Sequence, residues 1–339
     1  MLLSEFDFPF DPSLVADHPV EPRDRARLLV LPRGGGLLSH RHVTDLPDLL
    51  KRGDLLIVND TKVLAARLNG RKRPGDGQVE LVLVRPAGSD QPDRWEVLCK
   101  GTKQGQVIEL DGGATATVVE QGASGIVMQF SSSVPVLLEK IGRMPLPPYI
   151  KREPMEQDRT WYQTVFAREA GAIAAPTAGL HFTERLLSAL KDKGVRTAMV
   201  TLHVGPATFR PVTVEKIEEH RMGTEWTEVT RATADAINET RARGGRIVAV
   251  GTTVVRTLEA AASPDGTVKP MKGEVGLFIT PGYRFKIVDV LMTNFHLPKT
   301  TLLMLVSAFA GLEPLRAAYA EAVRGKYRFY SYGDAMLIQ

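Results

Sequence analysis

The chain has 339 residues, a formal net charge of +4 and a sequence pI near 9.1, with 43% hydrophobic and 24% charged residues. This length favours two domains over one because single hydrophobic cores stop growing at roughly 250–300 residues, and the composition is that of an ordinary globular protein. The single cysteine, Cys99, excludes a disulfide within the chain and cannot by itself build a zinc site.

The N-terminal residues and the lengths of the apolar runs indicate where in the cell the protein is expected. The opening MLLSEFDFPFDP lacks the basic and apolar regions of a signal peptide. No apolar run approaches the roughly 20 residues that cross a bilayer. We therefore expect a soluble, cytoplasmic protein without a membrane partner. The small basic excess permits a nucleic-acid partner without requiring one.

The first region of the chain, to about residue 62, ends in GDLLIVNDTK. A short apolar run at residues 55–58 follows Gly53 and Asp54 and stops at Asn59. This pattern predicts a buried strand that delivers polar residues at its C-terminal end.

The second region, residues 63–154, has little helical periodicity. Its short alternating runs are VLAARL, QVELVLV, RWEVLCK, QVIEL, TATVVE and GIVMQF, separated by turn signals such as Asn69-Gly70. Regularly spaced short strands with Gly-rich turns indicate a small barrel or sandwich, and we predict a closed β-barrel. The region ends in MPLPPYIKREP, whose prolines favour an extended connector.

The third region alternates strands and helices from residue 155 onward. Strands are predicted at GAIAAPT, VRTAMVTLHVG, RIVAVG, GLFIT and VDVLMTNF, and helices at TERLLSALKDKG, TADAINETRARGG, TTVVRTLEAA, TLLMLVSAFAG and PLRAAYAEAVRG. Thr183 is a candidate N-cap, and Gly194 a candidate helix end. Repeated strand–helix units predict an α/β domain with a mostly parallel sheet. The predicted fold is a discontinuous α/β domain, residues 1–62 and 155–339, interrupted by the barrel domain of residues 63–154.

Polar clusters follow strand after strand in the α/β region. They are Asn59-Asp60-Thr61-Lys62, Pro176-Thr177-Ala178-Gly179-Leu180-His181, His203-Val204-Gly205-Pro206-Ala207-Thr208, Gly251-Thr252-Thr253 and Thr293-Asn294-Phe295-His296. Ligands of α/β sheets bind beyond the carboxyl ends of the strands. Five such loops therefore predict an active site on one edge of the sheet.

Each of these residues also has a purely structural interpretation. A single histidine in such a loop is more often a satisfied core residue, and Thr252 and Thr253 could simply cap a helix. Arg256 could form a surface ion pair, and Asp60 beside Lys62 could belong to a turn. The coincidence of five loops carries more weight than any single member.

Several common sites are not supported by the sequence. There is no G-x-x-x-x-G-K-[ST] phosphate loop, and the glycines at 34–36 do not follow a strand as a dinucleotide-binding fingerprint would. A metal site built from His181, His203, His220 and His296 stays open as an alternative, because nothing in their spacing fixes a geometry.

Two basic clusters flank the predicted barrel or lie on it. Arg71-Lys72-Arg73 is assigned to a turn of the barrel and Lys151-Arg152 to the connector. Solvated surface and RNA-backbone contact are about equally good interpretations of such clusters.

The chain resembles the S-adenosylmethionine:tRNA ribosyltransferase-isomerase family in blocks that keep their order from end to end. The blocks are FDFPFDPSLVADHPVEPRDRARLLVL, GDLLIVNDTKVLAARL, AAPTAGLHFT, TLHVGPATFRPV, GRIVAVGTTVVRTLEA, TNFHLPKTTLLMLVSAFAG and YRFYSYGDAMLI. The resemblance implies an α/β domain interrupted by a β-barrel. It also implies transfer of a ribosyl unit from S-adenosylmethionine to 7-aminomethyl-7-deazaguanine in tRNA, giving epoxyqueuosine and releasing adenine and methionine, without a metal or redox cofactor.

The sequence departs from the family pattern at three places. Gly223 in HRMGTEW stands where a second histidine is expected, while His220 and Glu225 remain. Residues 274–276 replace an expected tryptophan and acidic or amide residue before LFI, and Thr300 replaces a serine.

The chemistry that the resemblance implies suggests a role for each candidate residue. Histidines serve as acid or base near neutral pH, carboxylates could steer the sulfonium or the α-amino group, and Arg256 or Lys299 could pair with the methionine carboxylate. The predicted catalytic residues are His181, His203, His296, Glu225 and Asp60; the predicted substrate-binding residues are Thr177, Thr208, Thr252, Arg256, Thr293, Asn294 and Lys299; the predicted RNA-binding residues are Arg71, Lys72, Arg73, Lys151 and Arg152. No metal is expected, S-adenosylmethionine and tRNA are the expected partners, and the chain is expected to act as a monomer. A non-catalytic RNA-binding module and an enzyme acting on a free nucleoside are the alternatives.

Overall fold

A computed structural model describes residues 1–88, 91–122, 125–205 and 212–339. The strands, in chain order, are β1 (Arg27–Leu31), β2 (Ser39–His42), β3 (Leu55–Asn59), β4 (Thr61–Val63), β5 (Arg67–Arg73), β6 (Gln78–Pro86), β7 (Arg94–Leu98), β8 (Val107–Leu110), β9 (Thr115–Gly122), β10 (Gly125–Phe130), β11 (Glu169–Ala172), β12 (Arg196–Leu202), β13 (Glu225–Val229), β14 (Ile247–Val250), β15 (Met271–Val275), β16 (Val290–Asn294) and β17 (Ala335–Ile338). The helices are α1 (Leu46–Leu49), α2 (Val134–Ile141), α3 (Asp158–Trp161), α4 (Glu184–Lys193), α5 (Arg231–Ala242), α6 (Thr252–Ala261), α7 (Thr301–Ala310) and α8 (Leu312–Arg324).

The larger part of the chain is built on a nine-stranded sheet with the order β15-β13-β12-β3-β14-β16-β17-β1-β2. Its centre, β12-β3-β14-β16, is parallel. On one side, β13 runs antiparallel to both β12 and β15. On the other side, β17 runs antiparallel to β16 but parallel to β1, and β2 runs antiparallel to β1. The α/β class is confirmed, but the sheet is mixed, with antiparallel pairs on both sides of a parallel centre, because the edge strands are reached by connections that reverse direction.

Helices cover both faces of this sheet. Alternate residues of the central strands, such as Leu55 and Ile57, pack against α5, α6, α7 and α8 on one face. The intervening residues, such as Leu56 and Val58, pack against α1 and α4 on the other. Strands buried on both faces explain the uninterrupted apolar runs of the sequence.

The six strands β5 to β10 form a closed antiparallel barrel, in the order β10-β7-β6-β5-β8-β9. Its core contains Leu68, Leu81 and Val97, and α2 adds Leu137 and Leu138 to the same cluster. The predicted inserted barrel is therefore confirmed, while the domain limits at residues 62 and 155 stay a prediction.

Three local predictions differ from the structure. Residues 276–280, predicted as the strand GLFIT, are irregular, and the strand β15 ends just before them at Val275. The basic triplet Arg71-Lys72-Arg73 lies on β5 and not on a turn. The segment GAIAAPT contributes only the end of β11, which pairs with β4 outside the large sheet. In contrast, Thr183 caps α4, and Gly194 ends it in a left-handed conformation, as predicted.

Among the described residues, no single helix is long and apolar enough to cross a membrane. The helices α7 and α8 reach the necessary length and apolar composition only when they are counted as one span, and the chain bends by 113° between them.

The connector after the barrel is fixed by a buried ion pair. Both terminal nitrogens of Arg152 lie 2.7 Å from the Asp158 carboxylate, which is fully buried. Asp158 also accepts from the Tyr332 hydroxyl at 3.0 Å, which ties the connector to the C-terminal segment. Burial alone would raise the pKa of Asp158, but the bonds from Arg152 and from the Met155 amide lower it below its usual value.

We expect Arg152→Ala to lower the free energy of unfolding by about 3 kcal/mol, because Asp158 would be left buried and charged without its partner. Urea denaturation measures the loss. Lys151→Ala is the matched control, because Lys151 is next to Arg152 in the chain and its side chain is exposed. The change in the free energy of unfolding for this variant should stay within about 0.5 kcal/mol. Equal unfolding midpoints for the two variants would contradict the structural role of Arg152.

Candidate active site

A cavity of about 430 Å³ lies at the carboxyl edge of the parallel strands. The loop after β14 contributes Gly251 and Thr252, and the end of β16 contributes Thr293 and Asn294. Residue Thr177 lines the same space from the segment after β11. Val204, from the loop after β12, lines it as well. The sheet therefore brings residues of four of the five polar loops to one site, which we call the first cavity.

The helix α6 begins at the first cavity with an unusual cap. Its N-cap is Gly251, at φ 94°, and no side chain of the described residues is seen to cap the first backbone amides. Thr252 and Thr253 thus do not act as caps. An open helix N-terminus favours a negatively charged group.

A buried arginine lies one turn further along α6. The Arg256 Nη1 atom lies 2.5 Å from Glu225 Oε2, and both side chains are almost completely buried. The other Glu225 oxygen accepts from the Gly205 amide at 3.0 Å. Within the described part of the chain, Nε and Nη2 of Arg256 are buried without a partner. Unpaired buried donors are costly, so this arginine is prepared for an acceptor that enters the first cavity.

The loop after β16 contributes a neutral histidine. His296 is buried, and its Nε2 lies 2.9 Å from Thr293 Oγ1. Burial lowers the pKa of His296 to about 4. The imidazole is therefore uncharged at neutral pH and able to accept a proton.

His181 lies behind this loop and does not line the first cavity. Its Nε2 is 3.3 Å from Asn294 Oδ1, while Asn294 Nδ2 donates to the Tyr330 carbonyl at 2.8 Å. Burial lowers the pKa of His181 to about 4, against a smaller opposing effect of Asp334. The geometry makes His181 a support for Asn294.

Aromatic residues complete the wall of the first cavity. Tyr149 and Tyr330 face each other with ring centroids 4.7 Å apart. Tyr330 has φ 70°, and so does not adopt an ordinary backbone conformation; its buried hydroxyl has no partner among the described residues. Neither tyrosine was among the residues predicted from the sequence, although both lie in distinctive stretches, PPYIKREP and YRFYSYGD.

Lys299 also lines the first cavity, but its charge is already engaged. Its Nζ lies 2.7 Å from Asp7 Oδ2, and its backbone has φ 59°. Of the two cations predicted to bind a carboxylate, Arg256 is the one with free donors.

The histidine of the loop after β12 belongs to a second, larger cavity. This second cavity, about 1140 Å³, lies between the barrel and the large sheet and is lined by His203, Glu225, Trp226 and Lys62. His203 Nδ1 lies 2.8 Å from Thr61 Oγ1, and its ring stacks on Trp226 at 4.9 Å. Burial lowers the pKa of His203, partly opposed by Glu169. The five predicted loops are therefore divided between two cavities.

The predicted catalytic residue Asp60 lines neither cavity. Asp60 accepts a hydrogen bond from Thr201 Oγ1 at 2.7 Å, and its backbone carbonyl accepts from Arg168 and Glu169. Burial raises the pKa of Asp60. Thr208 lies outside the described residues.

The predicted RNA-binding side chains are largely engaged with their own protein. Arg71 and Arg73 pair with Asp76, and Arg73 also pairs with Glu109 at 2.7 Å. Lys72 donates to the Gly101 carbonyl at 2.5 Å. The ion pair of Arg152 with Asp158 is structural, whereas Lys151 is exposed.

No group of three or more His, Cys, Asp or Glu side chains within the described ranges could hold a metal ion. The four histidines weighed as ligands are not gathered into one site there. The absence of a metal or cofactor stays a prediction.

Comparisons with known proteins agree over the whole chain. Residues 3–338 match the family model described as queuosine biosynthesis protein. Proteins named S-adenosylmethionine:tRNA ribosyltransferase-isomerase from Pelobacter propionicus and Moorella thermoacetica are each 52% identical, with all of both chains covered. The chain belongs to the S-adenosylmethionine:tRNA ribosyltransferase-isomerase family.

A solved structure supports the same assignment. The crystal structure of S-adenosylmethionine tRNA ribosyltransferase from Thermotoga maritima is 38% identical and has a TM-score of 0.58, covering 99% of this chain and all of that one. As a member of the ribosyltransferase-isomerase family, the protein is an enzyme of queuosine biosynthesis.

The departures from the ribosyltransferase-isomerase family pattern can now be located. Gly223 lines the second cavity, near Glu225. Glu274 lines it as well and lies 3.4 Å from Arg85. Thr300 caps α7, since its hydroxyl accepts from the Leu303 amide at 3.3 Å.

We expect the rings of His181 and His296 to stay neutral down to about pH 4. Histidine in an unfolded chain titrates near 6.5, so the unfolded state binds these protons first. Their contribution to stability should be complete above about pH 6.5 and be lost as the pH falls toward 4. NMR titration of the ring nitrogens tests this directly. Transitions of both rings near pH 6.5 would contradict the burial argument.

Proposed function

We propose that the chain transfers and isomerises the ribosyl group of S-adenosylmethionine onto 7-aminomethyl-7-deazaguanine in tRNA, giving epoxyqueuosine and releasing adenine and methionine. The observation that carries this proposal is Arg256, buried in the first cavity with Nε and Nη2 unpartnered among the described residues. A site with such donors needs an anionic or strongly polar ligand.

S-adenosylmethionine fits the first cavity by volume and by chemistry. The cavity of about 430 Å³ falls within the range of ~300–1,000 Å³ that small-molecule sites occupy. The free donors of Arg256 and the open N-terminus of α6 would bind the methionine carboxylate. The hydroxyl and amide groups of Thr177, Thr252, Thr293 and Asn294 would hold the ribose hydroxyls.

The aromatic wall suits the adenine ring. Tyr149 and Tyr330 offer flat apolar surface, and the Tyr330 hydroxyl offers a hydrogen bond that no described residue takes up. Stacking and one polar contact are the usual means of binding a purine.

We assign proton transfer in the first cavity to His296. The sulfonium acidifies the carbon bonded to it, and the neutral imidazole takes that proton. Because burial lowers the pKa of His296 to about 4, the resulting imidazolium is a strong acid. It is therefore suited to give the proton to the departing adenine.

The reaction balances without an oxidant or a reductant. The glycosidic bond to adenine and the carbon–sulfur bond to methionine break, and the sulfur keeps the electron pair of its bond. The amine nitrogen bonds to the ribose carbon that held adenine. The ring carbon–oxygen bond at that carbon breaks as a carbon–carbon bond closes a five-membered carbon ring, and the freed oxygen replaces sulfur on its carbon to form the epoxide. When the acceptor amine starts in its neutral form, the departing adenine gains one hydrogen, and one further proton is released to the solvent.

The remaining assignments are proposals of the same kind. We assign Asp60, His181 and His203 to the support of the site and of its second substrate, and Glu225 to the orientation of Arg256. Lys151, Arg71, Lys72 and Arg73 stay candidates for RNA contact. A metal-free, cytoplasmic, monomeric enzyme is expected.

One assay tests the function. The protein is incubated with S-adenosylmethionine and an RNA that carries 7-aminomethyl-7-deazaguanine, and free adenine is measured. Adenine that appears only with the modified RNA supports the proposal. Release with the free base alone would indicate a nucleoside enzyme, and the absence of release would overturn the reaction.

We expect Arg256→Lys to raise KM for S-adenosylmethionine by about tenfold or more, since a charged hydrogen bond contributes about 1.5–3 kcal/mol. A lysine keeps the charge beside Glu225 but lacks the donors that Arg256 directs elsewhere. Steady-state adenine release measures KM. Arg231→Lys is the matched control, because Arg231 makes an exposed pair with Asp235 on α5. Equal KM values for the two variants would remove Arg256 from the binding site.

We expect His296→Ala to slow single-turnover adenine release by about a hundredfold or more, the usual contribution of a general acid or base. His181→Ala should have a smaller effect, because His181 acts only through Asn294. Rapid quenching of enzyme in excess over RNA measures both rates. If His296→Ala kept the rate of the parent protein, His296 would not transfer the proton.

A further inference from the structure

The second cavity has no part in binding S-adenosylmethionine as described above, yet it is the larger of the two. Its walls come from different parts of the fold: Val84 and Trp95 from the barrel, Leu138 from α2, and His203 and Trp226 from the large sheet. With a volume of about 1140 Å³, it exceeds the ~300–1,000 Å³ of ordinary small-molecule sites. This volume fits a nucleotide that is still attached to a larger molecule.

One wall of the second cavity is a rigid planar group. The His203 ring stacks on Trp226 at an interplanar angle of 15°. Its other face packs on Gly171, where an added Cβ would come within 2.7 Å of the ring. Since Thr61 engages Nδ1 at 2.8 Å, the ring cannot turn, and Nε2 is the nitrogen left for a ligand.

The two cavities meet at a single ion pair. Glu225 lines the second cavity, Arg256 lines the first, and their charged atoms are 2.5 Å apart. Val204 lines both. The two cavities are therefore adjacent, with the Glu225–Arg256 pair and Val204 at their boundary.

A cation stands at the edge of the second cavity. Lys62 is exposed, lines the cavity and forms no ion pair within the described residues. The two arginines that line the second cavity, Arg85 and Arg159, are paired with glutamates. The basic triplet Arg71-Lys72-Arg73 lies at the end of β5, where Arg71 pairs with Gln78 at the start of β6. Arg85 lies near the other end of β6, roughly 20 Å away at about 3.3 Å per residue. Lys62 is thus the better placed contact for a phosphate next to this cavity.

We propose that the second cavity receives the acceptor nucleobase of the tRNA, taken out of its stack, and presents its amine to the ribosyl donor where the two cavities adjoin, beside the Glu225–Arg256 pair. An enzyme that modifies a base in RNA must reach it outside the stacked strand. This inference rests on the proposed function, and it adds the place of the second substrate. The planar His203–Trp226 wall borders the base, and Lys62 binds a neighbouring phosphate.

Filling the second cavity tests the assignment. Ala170 lines it, and its side chain is exposed, so Ala170→Trp should narrow the cavity without disturbing a core. Ala232→Trp on the exposed side of α5 is the matched control. Two quantities are measured for each: the affinity for S-adenosylmethionine by calorimetry, and adenine release with an anticodon stem-loop carrying 7-aminomethyl-7-deazaguanine.

We expect Ala170→Trp to keep S-adenosylmethionine affinity within about twofold and to lower RNA-dependent adenine release by about tenfold or more. Unimpaired release would overturn the cavity assignment while leaving the proposed function in place. A parallel loss of S-adenosylmethionine affinity would also overturn it, because the two cavities would not be separate sites. Absence of release by the parent protein would instead overturn the proposed function, and the inference with it.

A second variant keeps the test valid if Ala170→Trp fails to fold. Lys62→Glu should weaken binding of the same stem-loop several-fold at low salt and less so at high salt, since exposed charges are screened. Lys193→Glu, on the exposed end of α4, should not. Equal stem-loop affinities for the two variants would place the RNA elsewhere.

Discussion

The buried ion pair between Glu225 and Arg256 is the interaction around which the site is arranged. Two charges removed from water are costly, and removing either partner alone would leave the other uncompensated, at about 3–5 kcal/mol. Glu225 uses one oxygen for Arg256 and the other for the Gly205 amide. Arg256 is thereby held in the wall of the first cavity, and its Nε and Nη2 have no partner among the described residues. The pair thus orients a cation, and it separates two cavities.

The mixed sheet explains how these two residues meet. Arg256 enters from the carboxyl edge, one turn after the parallel strand β14. Glu225 is the first residue of β13, which runs antiparallel to β12. Only a reversed strand brings its amino end to the edge where the parallel strands finish. The antiparallel part of the sheet is therefore needed for the site, and a wholly parallel sheet would place Glu225 at the wrong end.

The sequence predicted the strands and helices far better than it predicted which polar loops meet in one cavity. Apolar runs and Gly-rich turns revealed the α/β class and the inserted barrel, because strand burial and turn chemistry are local properties. Five polar loops were also found, but His203 faces a different cavity from His296, and His181 faces neither. That division depends on the strand order and on the position of the barrel, which no single loop encodes. In the same way, the pairing of Arg152 with Asp158 and of Arg73 with Glu109 could not be inferred from a count of charges.

Burial has opposite consequences for the two kinds of polar group in the first cavity. It lowers the pKa of His296, which keeps the imidazole neutral at neutral pH but also makes it a weaker base. It also places polar atoms of Arg256 and Tyr330 where no described residue pairs with them, so that a polar ligand is favoured beside them. A ligand that carries a carboxylate, hydroxyls and an aromatic ring satisfies these groups together, and at the same time it displaces the water that would compete for an opened ribose. Burial therefore favours a polar ligand in the first cavity and, at the same time, suits the cavity to a water-sensitive reaction.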